Sequence, residues 1–343
     1  DSVKWDAVES RWGRNDLIPM WVADMDFRTA PFVIEALRKR LEHEVLGYTF
    51  ACKEWSESIV NWVKERHGWT IREEMLTFTP GIVRGLAFVI QCFTQKGDKV
   101  MVMPPVYHPF FLVTQKNERE VVYSPLVLKD GQYHIDFDCF RRDVQGCKLL
   151  ILSNPHNPGG RVWTKEELSQ IADICYESGT LVISDEIHAD LTLPPYKHPT
   201  FALISEKARM NSLVFMSPSK AFNMPGLASS YAIIENDELR HRFQGDGGRP
   251  RSHFPGNGRE AAGGYAGGGV DPVVHAEFYG LRHSRLHSRE LPSRERRRPR
   301  KERPQLDPLP DDARRGPCHR PAAPHRAGAG HLVAAAPGPL LRF

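Results

Sequence analysis

Between Trp5 and Gln244 short β-branched and aliphatic runs alternate with stretches whose apolar residues recur at helical spacing. Strands are predicted at 75–78, 98–103, 120–123, 148–152, 181–184, 213–216 and 229–234. Pro80 and Gly81 open a helical run that continues through Gln91, and a second helix is predicted over 165–176, with Thr164 and Glu167 placed as a capping box. Strand and helix in alternation imply an α/β fold with a mainly parallel sheet. In such sheets ligands gather beyond the carboxyl ends of the strands, so polar residues just after each strand become the candidates for chemistry.

After Gln244 the pattern stops. Residues 245–343 contain no Ile, Thr, Met or Trp, hold 17 arginines and are filled with Gly, Pro, Ala and His. Such a composition cannot bury enough apolar surface to offset the entropy of ordering. The overall charge of +4 hides this division: residues 1–244 carry 28 Lys and Arg against 32 Asp and Glu (−4), and the remainder 18 against 10 (+8). Three readings fit this basic tail: a frameshifted translation of GC-rich codons, which the abruptness of the change favours; a disordered extension; and a nucleic-acid-binding segment around residues 294–301, the least favoured because basic runs are usually solvated.

No apolar run of about 18 residues is present to span a bilayer. The opening residues lack the pattern of a secretory signal. The expectation is therefore a cytoplasmic protein that binds neither membrane nor nucleic acid. Asp1 is not a methionine, which leaves open a start inside a longer reading frame. The six cysteines form no Cys-x-x-Cys pair and have no matching His spacing, which argues against zinc and against a disulfide framework and leaves most of them as small buried hydrophobes.

Three predicted strand ends carry the informative residues: Asn154-Pro155-His156-Asn157-Pro158-Gly159-Gly160, then Ser184-Asp185-Glu186-Ile187-His188, then Ser217-Pro218-Ser219-Lys220-Ala221-Phe222-Asn223. In this order, with 28 positions from Asn157 to Asp185 and 35 from Asp185 to Lys220, they resemble the class I and II aminotransferases, which depend on pyridoxal 5′-phosphate (PLP). The resemblance covers roughly residues 1–244. It implies the aspartate-aminotransferase-like fold, type I of the PLP-dependent transferases. Its parts would be an N-terminal segment of a small domain at 1–40 and a PLP-binding large domain at 41–244.

The resemblance also assigns roles. Lys220 would bind the cofactor aldehyde covalently and act as base at the substrate α-carbon. Asp185 would hold the pyridine nitrogen protonated, making the ring an electron sink. Asn157 would donate to the ring phenolate oxygen. His188 stands where many relatives have a Tyr contacting that oxygen; it either marks a subgroup or is a strand-end histidine satisfied by its surroundings.

For the phosphate, the turn at Gly81, Ile82 and Val83 offers amides at a helix N-terminus, and Ser217 would add a hydroxyl, unless it simply caps a turn. Relatives often place an arginine eight residues after the lysine; Ala228 occupies that position here. Tyr107 would stack on the cofactor face or else pack in the core. Tyr48 would reach the phosphate of a neighbouring subunit, implying a homodimer, or else pack at the lobe boundary.

Within the superfamily, residues 18–27, 157–163 and 184–191 look most like the cystathionine β-lyase type of carbon-sulfur lyase, with Ala23 beside the substrate carboxylate where general aminotransferases more often have glycine. The implied reaction eliminates a thiol from cystathionine or a cysteine conjugate and yields pyruvate and ammonia. An amino-acid aminotransferase would use the same residues. The third reading is a non-catalytic PLP-binding regulatory domain, although no helix-turn-helix precedes Trp5. The family also closes its site with a carboxylate-binding arginine near the C-terminus, and no tail arginine has the strand context to be assigned to it. This chain is accordingly expected to bind PLP poorly or fold incompletely.

Overall fold

The computed structural model describes residues 2–245, which fall within one compact unit; the basic tail lies outside the described residues. The strands are β1 (Leu76–Thr79), β2 (Lys99–Val102), β3 (Glu120–Tyr123), β4 (Val127–Lys129), β5 (Gln132–His134), β6 (Cys147–Ser153), β7 (Leu181–Asp185), β8 (Ser212–Met216) and β9 (Ser230–Ile233). The helices are α1 (Val8–Trp12), α2 (Pro31–Leu41), α3 (Lys53–His67), α4 (Ile82–Phe93), α5 (Pro109–Lys116), α6 (Phe137–Asp143), α7 (Lys165–Glu177), α8 (Glu206–Met210) and α9 (Asp237–Gln244).

Seven strands form one sheet in the order β1-β9-β8-β7-β6-β2-β3. Neighbours from β3 to β8 pair parallel, whereas β9 runs antiparallel to both β8 and β1. Alternate residues of the central strands point to opposite faces, and both faces are apolar. Val100, Val102, Leu149, Ile151, Ile183 and Phe215 pack with α4 and α5, while Met101, Leu150, Leu152 and Val182 pack with α7. The third cluster puts Val214, Met216, Tyr231 and Ile233 against Ile59 and Val63 of α3. Burial on both faces is what parallel strands require and explains why they read as continuous aliphatic runs. Each such side chain contributes about 1.5–3 kcal/mol by leaving water.

The expected α/β architecture and mainly parallel sheet are present, with element ends displaced by a residue or two. Gly81 adopts φ +96°, outside the helical region, so it caps α4, which begins at Ile82 and extends through Phe93. Ala228 is left-handed (φ 47°), and β9 starts two residues later. The capping box forms as the sequence suggests: Thr164 Oγ1 accepts from Glu167 N at 3.1 Å and Glu167 Oε2 accepts from Thr164 N at 2.8 Å. The β4-β5 hairpin was not anticipated, although Asp130-Gly131, both at positive φ (52° and 73°), is the residue pair that a tight two-residue turn favours. Cys139, Cys147 and Cys175 are buried, Cys92 is half-buried and Cys52 is exposed. Among the described residues no helix is long and apolar enough to cross a membrane.

Candidate active site

The parallel register brings the carboxyl ends of β6, β7 and β8 to one edge of the sheet. Ser153 pairs with Asp185 and Asp185 with Phe215, so the segments after β6, β7 and β8 leave the sheet side by side. Asn154 N donates to Asp185 O at 2.9 Å, and Glu186 N to Phe215 O at 2.8 Å, extending the pairing one residue into each loop. The edge carries Asp185, with Asn157, His188, Ser217 and Lys220 on the segments that follow the three strands.

Asp185 is buried, and Ile187 N donates to its Oδ1 at 3.1 Å. Burial pushes its carboxyl from 3.8 up to about 7, against the smaller lowering effects of that amide and of the nearby Lys220 ammonium. Lys220 is half-buried, and desolvation lowers its pKa while Asp24 and Asp185 oppose the shift. An amine whose charged form burial disfavours, beside a carboxyl whose ionisation is penalised, is an arrangement that a cationic ring nitrogen and an aldehyde would complete. The residues present therefore fit the cofactor suggested by the sequence.

His188 is buried, and burial, followed by the Lys220 charge, lowers its pKa to about 3; it is a neutral imidazole within electrostatic reach of Lys220. Tyr107 is partly exposed, and its hydroxyl is raised first by burial and then by Asp185, which places the ring near the same carboxylate. Its backbone N donates to Asn157 O at 3.0 Å, so the loops after β2 and β6 are tied. Asn157 N in turn donates to Ser153 Oγ at 3.0 Å.

On the phosphate side, helix geometry leaves the first amides of α4, including those of Ile82 and Val83, without intrahelical acceptors. A Cβ added to Gly81 would meet nothing within 4 Å, so glycine is needed there for its positive φ and not for room. Thr79 Oγ1 and Ser230 Oγ lie 2.7 Å apart across β1 and β9 just below this turn. Ser217 is buried; its hydroxyl lies 2.5 Å from Ser229 O and 2.8 Å from Ser219 Oγ, and accepts from Ser219 N at 3.1 Å, so it also braces the Lys220 turn. Arg84, in the first turn of α4, donates through Nη1 to Pro80 O at 2.7 Å.

Ala23 is half-buried on the N-terminal segment next to Asp24. Tyr48 is fully exposed between α2 and α3. Sequence reasoning overlooked several supporting residues. Glu186, directly after Asp185, is buried and accepts at Oε1 from Ser184 Oγ (2.9 Å) and Phe201 N (2.8 Å), while His198 Nε2 lies 2.6 Å from Oε2. It locks the turn that follows Asp185; no local pattern distinguishes it from a solvated glutamate. Asp24 and Asn223 were overlooked as well, because their segments meet only through contacts nearly 200 residues apart in sequence. A cavity of about 420 Å³ lies beside this contact, lined by Lys4, Asp24, Met25, Asn223 and Leu227 among others, and does not include Lys220 or Asp185.

Residues 15–249 match the family of class I and II aminotransferases. The chain is 43% identical to cystathionine β-lyase PatB of Bacillus subtilis over 244 residues, which is 71% of this chain and 63% of that protein. It is 34% identical to protein MalY of Escherichia coli over 243 residues, 70% of this chain and 62% of that one. Among solved structures it resembles cystalysin from Treponema denticola, which contains a PLP cofactor (TM-score 0.68, 40% identity, 71% of this chain and 63% of that one). It also resembles the PLP-bound C-S lyase from Staphylococcus hominis (TM-score 0.66, 40% identity, 71% and 62%). The chain thus spans less than two thirds of the length of these relatives. With the matched fold and the three strand-end motifs at one edge of the sheet, the chain belongs to the aminotransferase class I and II family.

Proposed function

We propose that the chain is the cofactor-binding part of a PLP-dependent carbon-sulfur β-lyase, acting on cystathionine or cysteine conjugates to give a thiol, pyruvate and ammonia. The observation that carries this reading is the half-buried amine of Lys220 beside the buried Asp185 carboxyl at adjacent strand ends, in a chain similar to lyases of that type. When bound, PLP supplies a covalent attachment for the substrate amine and a ring that delocalises the electron pair left after α-proton removal.

The chain's own residues do the rest. Lys220 would carry the cofactor aldehyde, and its amine is the base that would take the proton from the substrate α-carbon. Ionised Asp185 would keep a proton on the ring nitrogen, since the cost of burying its charge would be offset by that cation. Asn157 would donate to the phenolate oxygen, and His188, which keeps one N–H in its neutral form, would donate to the same oxygen. Tyr107 would cover one ring face and the α4 amides with Ser217 would bind the phosphate, where Ala228 contributes no charge. Ala23 lies along the substrate carboxylate. The chemistry so supplied would be β-elimination, in which the thioether and one water give the protonated thiol, pyruvate and ammonia.

The same reading makes residues 1–40 part of a smaller domain and residues 41–244 the large one. It places the working enzyme in the cytoplasm as a homodimer in which Tyr48 reaches the neighbouring phosphate site. The test is reduction with borohydride after incubation with PLP, followed by peptide mapping. In a version extended to the full length of the relatives, an adduct at Lys220 that vanishes in Lys220→Ala is expected, and its absence there refutes the assignment. Pyruvate release from cystathionine, compared with keto-acid-dependent amino transfer, separates lyase from aminotransferase; DNA binding with neither activity marks a regulator.

A further inference from the structure

Asn223 follows Lys220 by three residues and faces the N-terminal segment across 198 positions of sequence. Its Oδ1 accepts from Met25 N at 2.9 Å, and its Nδ2 donates to Met25 O at 3.2 Å and to Phe27 O at 2.8 Å. Its own carbonyl accepts from Thr29 Oγ1 at 2.9 Å. One side-chain amide therefore pairs with the segment much as a neighbouring β-strand would. Two requirements meet at this position. The backbone is left-handed (φ 50°), a conformation that few residues other than Gly, Asn and Asp adopt readily. The contacts also need both a donor and an acceptor on a short side chain, which Gly and ionised Asp lack.

The opposite side of the segment is held as well. Lys4 is buried, and its Nζ donates to Asp24 O at 2.6 Å and to Asp26 Oδ2 at 3.0 Å, while Trp5 Nε1 donates to Asp26 Oδ1 at 3.0 Å. Asp24, between these two anchors, acts electrostatically on the Lys220 amine. The charged and titratable groups facing that amine are thus Asp24 from the N-terminal segment, with Asp185 and His188 from the end of β7.

We propose that Asn223 is a positioning residue: by gripping the backbone at Met25 and Phe27 it fixes Ala23 and Asp24, the edge expected to face substrate, at a set place beside the Lys220 amine. This rests on the reading of Lys220 given above and adds the group that registers the substrate edge against it. A segment that strayed from the amine would weaken the carboxylate's influence on it and displace the surface along which the substrate carboxylate lies.

The test uses the full 343-residue chain without cofactor, the Asn223→Gly variant, which keeps the left-handed backbone accessible, and the milder Thr29→Val variant. Amide hydrogen exchange reports on Met25, and the pH dependence of Lys220 acetylation by acetic anhydride, read by mass spectrometry, reports on the amine. In Asn223→Gly exchange at Met25 rises about tenfold, as loss of hydrogen bonds totalling roughly 1.4 kcal/mol implies. The acetylation midpoint moves to lower pH, because Asp24 recedes while the burial that lowers the amine's pKa remains. Thr29→Val gives smaller changes of the same sign.

Faster exchange with an unmoved Lys220 midpoint would make Asn223 a structural clasp only and overturn the proposal, as would no change in either. If Asn223→Gly fails to fold, Thr29→Val decides on the same two readouts. A version extended to the relatives' full length that gives no borohydride-trapped adduct would instead sink the cofactor reading and leave both measurements standing.

Discussion

Replacing Asp185 with asparagine should stabilise the cofactor-free chain while removing the group that makes the cofactor useful. In the fold the carboxyl is buried and its pKa is raised from 3.8 to about 7. Below about pH 4 the group is protonated in folded and unfolded chains alike and costs nothing. As pH rises toward 7 the unfolded chain has released the proton and the folded chain has not, so stability falls; above about 7 the full penalty persists. At 1.36 kcal/mol per pH unit the rise sets a ceiling of about 4 kcal/mol, and relaxation with water penetration brings the expected gain to on the order of 2 kcal/mol. The amide in Asp185→Asn would keep the acceptor for Ile187 N without the charge.

The assay is urea and thermal unfolding of apoprotein and variant at about pH 4, 6 and 8. The variant should match the parent at the lowest pH and pull ahead with increasing pH, raising Tm near pH 8 by roughly 4–8 °C for a domain of this size. With PLP present the advantage should shrink or reverse, because the neutral amide cannot pair with a protonated ring nitrogen. A variant no more stable than its parent at about pH 8, or equally stabilised at every pH, would refute the reasoning.

The histidines act in the opposite direction. Burial holds His156 near 4 and His188 near 3, both below the ordinary 6.5. Their contribution is therefore full above 6.5 and is lost as pH falls through about 4 and then 3; a flat urea midpoint between about pH 7 and 4 in the Asp185→Asn background would contradict this. Gly85→Ala drives a Cβ into Cε1 of the buried Phe215 and should cost about 1–3 kcal/mol through overpacking of α4 on β8, seen as a lower urea midpoint. Thr164→Ala removes the side-chain cap of α7 and should cost about 1 kcal/mol by the same measurement.

Much of the fold was legible because both of its signals are local. Aliphatic runs such as Leu149 to Leu152 mark strands buried on both faces, and Thr164 with Glu167 marks a helix start without reference to the rest of the chain. The meeting of Lys220, Asp185 and Asn157 at one edge was legible for a related reason: each follows or ends a strand, and parallel strands deliver their carboxyl ends to one edge. The hairpin at Asp130-Gly131 had a readable signal that went unused.

What the sequence could not state was anything depending on distance through space. It supplied an aspartate at 185, but only the stacking of β6, β7 and β8 around that position removes its water and raises its pKa. Glu186, His198 and Asn223 look like ordinary polar residues until the chain closes, because hydrogen bonding between residues 12 or 198 positions apart leaves no periodicity behind. Local preference chose the elements and the types of reactive group; tertiary packing alone set the burial and neighbours that govern how those groups hold their protons.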